Sequence, residues 1–154
     1  AELWRSDGSE TGTTLVADLR PGPLGARPAH LMAAGDTLYF AAHDGRHGIE
    51  LWTSDGSAAG TRLVKDLRPG PANALPSFLT AFGGRVFFAA TDDLHGEELW
   101  STDGTAAGTR LVRDLAPGPQ GAAPAHLTRI GDRLWFSAAD GPDGTSAWST
   151  DGTA

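Results

Sequence analysis

Short apolar runs alternate along this chain with Gly-, Asp- and Pro-rich stretches, and no segment keeps a 3.6-residue apolar period for even three turns. One full cycle begins at Pro28. His30-Leu31-Met32-Ala33 is apolar, Gly35-Asp36 makes a tight turn, and Thr37-Leu38-Tyr39-Phe40-Ala41-Ala42 is rich in β-formers. The loop Asp44-Gly45-Arg46-His47-Gly48 leads into Ile49–Ser54, and Asp55-Gly56-Ser57-Ala58-Ala59-Gly60 leads into Thr61–Leu67. Four β-runs separated by hairpin-sized loops predict an antiparallel four-stranded meander, with strand A at His30, B at Leu38, C at Leu51 and D at Leu63. No helix is predicted.

The cycle repeats without insertion or deletion. Trp4, Trp52, Trp100 and Trp148 stand 48 positions apart, and Tyr39-Phe40 becomes Phe87-Phe88 and then Trp135-Phe136. A fixed period of this length means one supersecondary unit copied in tandem. The longest link, Arg68–Ser77, is rich in proline and joins strand D of one unit to strand A of the next. That is the connection a β-propeller needs once per blade, and repetition around a ring removes the exposed edges of four-stranded sheets. The expected fold is therefore all-β, a set of propeller blades forming an incomplete ring, with an open solenoid as the alternative. Residues 1–27 supply the C and D strands of a first blade, 28–75 and 76–123 are complete blades, and 124–154 is a partial fourth. The ring is completed by the rest of a longer repeat chain or by self-association. The chain opens inside a repeat, which predicts a piece of a longer polypeptide.

Composition narrows the partners more than it narrows the fold. With 12 basic and 19 acidic residues the net charge is −7, which opposes binding to a phosphate backbone, so no nucleic-acid partner is expected. The absence of cysteine excludes disulfides and cysteine-ligated zinc. No apolar run is long enough to span a bilayer as a helix.

Glu98-Leu99-Trp100-Ser101-Thr102-Asp103-Gly104-Thr105, with variants at Glu2, Glu50 and Ser146, resembles the bacterial ELWxxDGT tandem-repeat proteins. Gly60–Gly70 and Gly108–Gly118, which read Gly-Thr-x-Leu-Val-x-Asp-Leu-x-Pro-Gly, and Leu79–Gly84, a Leu-Thr that precedes a Gly-Gly turn, carry the same signature. The resemblance covers the whole chain and implies a large exported protein, extracellular or on the cell surface. It departs at Ser146-Ala147 and at Ala116, where the other copies have Glu-Leu and Arg.

Candidate chemistry recurs with the repeat. Asp7, Asp55, Asp103 and Asp151 each precede a glycine in the C–D hairpin. A carboxylate there accepts backbone N–H bonds across the turn while Gly8, Gly56, Gly104 and Gly152 take a positive φ. This structural turn motif resembles the Asp-box hairpin of other propellers. Calcium is the weaker alternative at this turn, because the dense alternation of oxygen ligands is missing, and no cofactor is expected. Asp44, Arg46 and His47, Asp92, Asp93 and His95, and Asp140 and Asp143 occupy the B–C loops, the most variable stretch between copies and the candidate binding surface. Asp18, Asp66 and Asp114 read as strand D residues that pair with Arg20 or Arg68 or bond the start of the Pro-Gly turn. His30 and His126 alternate with Phe78, which points to packing, and no metal-ligand spacing joins the five histidines. There is no Gly-x-Ser-x-Gly elbow and no cysteine nucleophile.

Equivalent carboxylates in every unit suit a scaffold or multivalent binder better than an enzyme with one differentiated site. The expected function is a non-catalytic interaction module contacting protein or glycan partners through its loops. Trp4, Trp52, Trp100 and Trp148 are assigned to packing; a lectin-like propeller, whose aromatic platform includes Trp52 or Trp100 if either is exposed, and a propeller-fold glycoside hydrolase are the alternatives.

Overall fold

The computed structural model describes residues 1–139 and 144–153, and no described residue is helical. The strands form four sheets. The first pairs β1 (Leu3–Arg5) with β2 (Thr14–Ala17). The second runs in the order β3 (Ala29–Ala34), β4 (Thr37–His43), β5 (Ile49–Ser54), β6 (Arg62–Lys65). The third repeats it with β7 (Ser77–Phe82), β8 (Arg85–Asp92), β9 (Gly96–Thr102) and β10 (Arg110–Arg113). The fourth holds β11 (Ala125–Ile130), β12 (Arg133–Ala139) and β13 (Thr145–Thr150). Every pairing is antiparallel between consecutive strands, and the register recurs: Phe40 faces Trp52, Phe88 faces Trp100 and Phe136 faces Trp148.

The sheets pack face to face, which explains why β4 and β8 read as nearly continuous apolar runs. Successive side chains on a strand point to opposite faces. Tyr39 therefore joins Leu51 and Val64 against Val86, Phe88 and Trp100 of the third sheet, while Phe40 and Trp52 lie against Leu3 and Val16 of the first. Between the third and fourth sheets, Phe82, Phe87 and Leu99 meet Leu134, Phe136 and Ala138. Each fully buried phenylalanine contributes roughly 1.5–3 kcal/mol of burial free energy.

Trp52 and Trp100 are buried, and each donates its indole N–H to a strand carbonyl, Ala42 at 3.2 Å and Ala90 at 3.1 Å. Packing is thus what Trp52 and Trp100 do, and the condition for a sugar platform at those two residues is not met, whereas Trp4 departs from the packing expectation in being exposed.

The first strands of the three later sheets, β3, β7 and β11, lie next to one another. Each carries a bulge at its second residue, where His30, Phe78 and His126 take φ of 54°, 53° and 58°. A bulge re-aims the side chain. The packing expected of His30 and His126 is corrected accordingly: both are exposed, as is Phe78, and only the Phe78 and His126 rings meet, at 5.8 Å.

Asp18, Asp66 and Asp114 also differ from expectation, since each lies one residue beyond β2, β6 or β10. Asp66 accepts the Gly70 N–H at 3.3 Å, at the Pro-Gly turn. Arg68 turns away from it to Asp93 of the next sheet.

Candidate functional site

The meander places the β5–β6 hairpin at one end of each sheet and the β4–β5 loop, with the link to the next sheet, at the other. At the hairpin end Asp55 accepts the Ser57 N–H at 2.8 Å and the Ser57 hydroxyl at 2.6 Å, and the Ser57 hydroxyl accepts the Gly60 N–H at 3.0 Å. Ser54 and Thr61 close the hairpin through their hydroxyls at 2.8 Å. Asp7 and Asp103 make the same bonds with Ser9 and Thr105, and Asp151 does so with Thr153. Gly8, Gly56, Gly104 and Gly152 all have positive φ. The side-chain hydroxyl, then the backbone N–H, holds each of the four carboxyls below its ordinary value. Gly60 serves a different need: a Cβ there would collide with the Asp55 carboxylate.

At the opposite end a second carboxylate fastens each of the first three sheets to its outgoing link. Glu50 is fully buried and accepts the N–H groups of Leu67 at 3.1 Å and Arg68 at 3.3 Å. Glu2 accepts those of Leu19 and Ala26, and Glu98 accepts those of Ala116 and Ala122. Burial pushes Glu50 up to about 7 against the pull of these donors, and nearby Asp66 adds to the rise. Glu98 and Glu97 are also raised by burial. Glu98 Oε2 and Asp114 Oδ1 are buried without hydrogen-bond partners. Sequence reasoning missed these glutamates. The available signal was an invariant acidic residue inside an apolar strand, replaced only at Ser146.

The loops between second and third strands share this end. Asp44 Oδ1 accepts the N–H groups of Arg46 and His47, both at 2.8 Å, and its Oδ2 lies 2.7 Å from His47 Nδ1. Asp92 repeats the arrangement with Leu94 and His95, again 2.7 Å from the imidazole. Burial pushes both aspartates up, but these hydrogen bonds outweigh it and hold them below the ordinary carboxylate value. The Asp92 hydrogen bond raises His95. Gly48 and Gly96 press the loops on the links, where a Cβ would collide with the Ala72 carbonyl or the backbone around Gly121. Ile49 N–H reaches Asn73 Oδ1 at 2.8 Å, and Ala74 N–H reaches the Ile49 carbonyl at 3.0 Å.

Two kinds of residue therefore occupy the candidate loops. Asp44 and Asp92 turn inward and, with the half-exposed imidazoles of His47 and His95 bonded to them, hold the loop shape. Arg46, Asp93 and Leu94 are exposed at the tips. Leu94 is an apolar tip that sequence reasoning left out. Asp93 pairs with Arg68 at 2.7 Å, an exposed contact that contributes ~0–1 kcal/mol. Asp140 and Asp143 lie outside the described residues. Among the described residues no group of three or more His, Asp or Glu side chains is arranged for a metal ion.

No protein-family model matches the sequence, and no curated protein matches it. A solved chain from a structural and mechanistic study of two prolyl endopeptidases is similar in fold, with a TM-score of 0.53 and 14% identity over 92% of this chain. The match spans 22% of that chain. At this identity the likeness concerns the fold: an all-β chain of stacked antiparallel sheets.

Proposed function

We propose that the sheets are consecutive blades of a β-propeller, and that the chain is a non-catalytic interaction module of an exported or surface protein related to the ELWxxDGT repeats. The propeller reading draws support from the neighbouring first strands, the fourth-to-first links and the fold likeness above. The functional reading rests on one observation. In two consecutive units an identical Asp–His pair and a close-packed glycine hold the same loop shape, while the exposed tips change from Gly45-Arg46 to Asp93-Leu94. A constant frame with variable tips is how rigid scaffolds present recognition residues. Weak contacts of this kind, one per blade, gain strength from multivalency.

The test is binding of the purified chain to a glycan array and to surface-protein extracts fixed by cross-linking, with Arg46→Glu and Leu94→Asp as probes. Partners retained by the wild type and lost by either variant, with unchanged thermal midpoints, support the proposal. Turnover on a peptide or glycoside panel that disappears with a single carboxylate substitution would replace it with an enzyme.

A further inference from the structure

The first two links carry an arginine at the same place in the repeat, and the chain engages the two differently. Arg68 of the second link reaches across to the β8–β9 loop. There its Nε and Nη2 meet one carboxylate oxygen of Asp93 at 2.8 and 2.7 Å, and its Nη1 donates to the Asn73 carbonyl at 3.1 Å. Arg20, 48 positions earlier, likewise lies against the loop of the following sheet. The point where a side chain at residue 45 would begin is 3.4 Å from its Nε. Residue 45 is the counterpart of Asp93, and it is glycine.

Nothing within the β4–β5 loop answers the Arg20 guanidinium. Asp44, its one carboxylate, is engaged inside the loop by two N–H groups and the His47 imidazole. Gly45 has a φ of 89°, a conformation that side chains avoid, so the backbone keeps the space beside Arg20 clear. Arg46, the exposed next residue of the tip, stands where the following unit has Leu94, and His43 stands where it has Thr91. His43 accepts the Gly45 N–H through Nδ1 at 2.7 Å, so its neutral ring carries the proton on Nε2 as a further donor. Among the described residues neither Arg20 nor Arg46 has an ion-pair or hydrogen-bond partner for its guanidinium. The third link has Ala116 in place of the arginine.

We propose that Arg20 and Arg46 form a binding site for a carboxylate, the exposed Asp or Glu side chain of a protein partner. The source follows from the molecule itself: the group that meets the equivalent guanidinium in the next unit is an aspartate at the tip of a protein loop, and Asp93 shows how such a group is held. The proposal rests on the loop-tip reading above and names the chemistry of one tip. Guanidinium is suited to the task, since its fixed donors and permanent charge match a carboxylate. The contact is exposed, so the affinity of a single site is on the order of millimolar. That agrees with one weak contact per blade, strengthened by multivalency.

Chemical-shift titration of the isotope-labelled chain with acetyl-Gly-Asp-Gly-amide tests it, with the Gly-Asn-Gly peptide and galacturonate alongside. The aspartate peptide moves the signals of Arg20, Gly45 and Arg46, and Arg20→Gln and Arg46→Gln each weaken its binding by about fivefold, the upper contribution of an exposed ion pair. The deciding variant builds the site again in the next unit. Asp93→Ala with Leu94→Arg frees Arg68 and supplies a second tip arginine, so a second set of shifts appears around Arg68. Should that double variant fail to fold by circular dichroism, Asp93→Ala alone frees Arg68 and gives the second set at lower affinity. An equal response to the asparagine peptide, tighter binding of galacturonate, or no second site once Arg68 is freed overturns the proposal. Partner capture that Leu94→Asp abolishes and Arg20→Gln leaves intact also overturns it, while the loop-tip reading stands. An aspartate response that persists while neither loop-tip probe alters capture supports the site and counts against the loop-tip reading instead.

Discussion

Asp55 and Glu50 stand at opposite ends of β5, and the protein treats their charges in opposite ways. Asp55 is exposed, and short bonds from one serine lower its proton affinity. Glu50 is buried, accepts N–H groups from a link seventeen residues away, and has its proton affinity raised. The hairpin end is a local device, complete within a few residues. The link end is non-local, because its carboxylate orders the chain segment that carries the next sheet. Loss of the first should loosen one turn, whereas loss of the second should loosen the joint between units.

The largest effect is therefore expected from Glu50→Ala. It leaves the Leu67 and Arg68 N–H groups without their acceptor, and each buried donor stranded in this way costs ~1–3 kcal/mol. A total of about 3 kcal/mol would lower the thermal midpoint by on the order of 10 °C in a chain of this size. Hydrogen exchange should show the loss spreading from the 66–76 link into β6 and β7. A loss confined to the immediate surroundings of residue 50 would break the contrast between local and joint-forming carboxylates.

Next in size is a pH dependence with two limbs. Glu50 has a folded pKa of about 7 against an ordinary 4.5, so its contribution to stability is fully present below the ordinary value and is lost as pH rises through 7. Its raised value corresponds to about 3 kcal/mol at most. Glu98 and His95 are also raised and act in the same direction. The lowered aspartates Asp7, Asp44, Asp55, Asp92, Asp103 and Asp151 act the other way: their contribution is present above the ordinary carboxylate value and is lost as pH falls through the folded one. Urea midpoints should therefore be higher near about pH 5 than near about pH 8, and should fall again in stronger acid. Glu50→Gln should flatten the upper limb and leave the acid limb in place. An upper limb unchanged by that substitution would assign it elsewhere.

The strand positions were legible in the sequence because β4 and β8 are buried on both faces, so their apolar runs and bounding Gly-Asp turns admit few other readings. The hairpin aspartates were legible for a related reason, since the hydroxyl and N–H that each one accepts lie two residues away. Glu50 was not. Its neighbours in sequence say nothing of the N–H groups that fold back onto it, and a lone glutamate ordinarily belongs at a surface. His30 and His126 misled in the other direction. Their alternation with Phe78 suggested a core, yet the backbone at all three takes a positive φ that turns the ring outward. The candidate loop aspartates were found, but their role was not, because only the structure separates inward-facing Asp44 and Asp92 from the exposed tips at Arg46 and Leu94.

The smallest effect isolates the local device through its sign. Gly60 has no positive φ, so its backbone accommodates alanine, and the obstacle is the Asp55 carboxylate lying where the Cβ would go. Gly60→Ala alone should displace that carboxylate from Ser57 and cost about 1–3 kcal/mol, the usual penalty for overpacking. Once Asp55→Ala has removed the obstacle, the same Gly60→Ala change should be neutral or stabilising by about 0.4–1 kcal/mol, through the lower entropy of the unfolded chain. A double-mutant cycle on thermal midpoints reads this reversal directly. Additive effects would mean that Asp55 and Gly60 do not share one tightly fitted turn. The corresponding cycle at Asp103 and Gly108, where the same collision is present, should reproduce the reversal in the next unit.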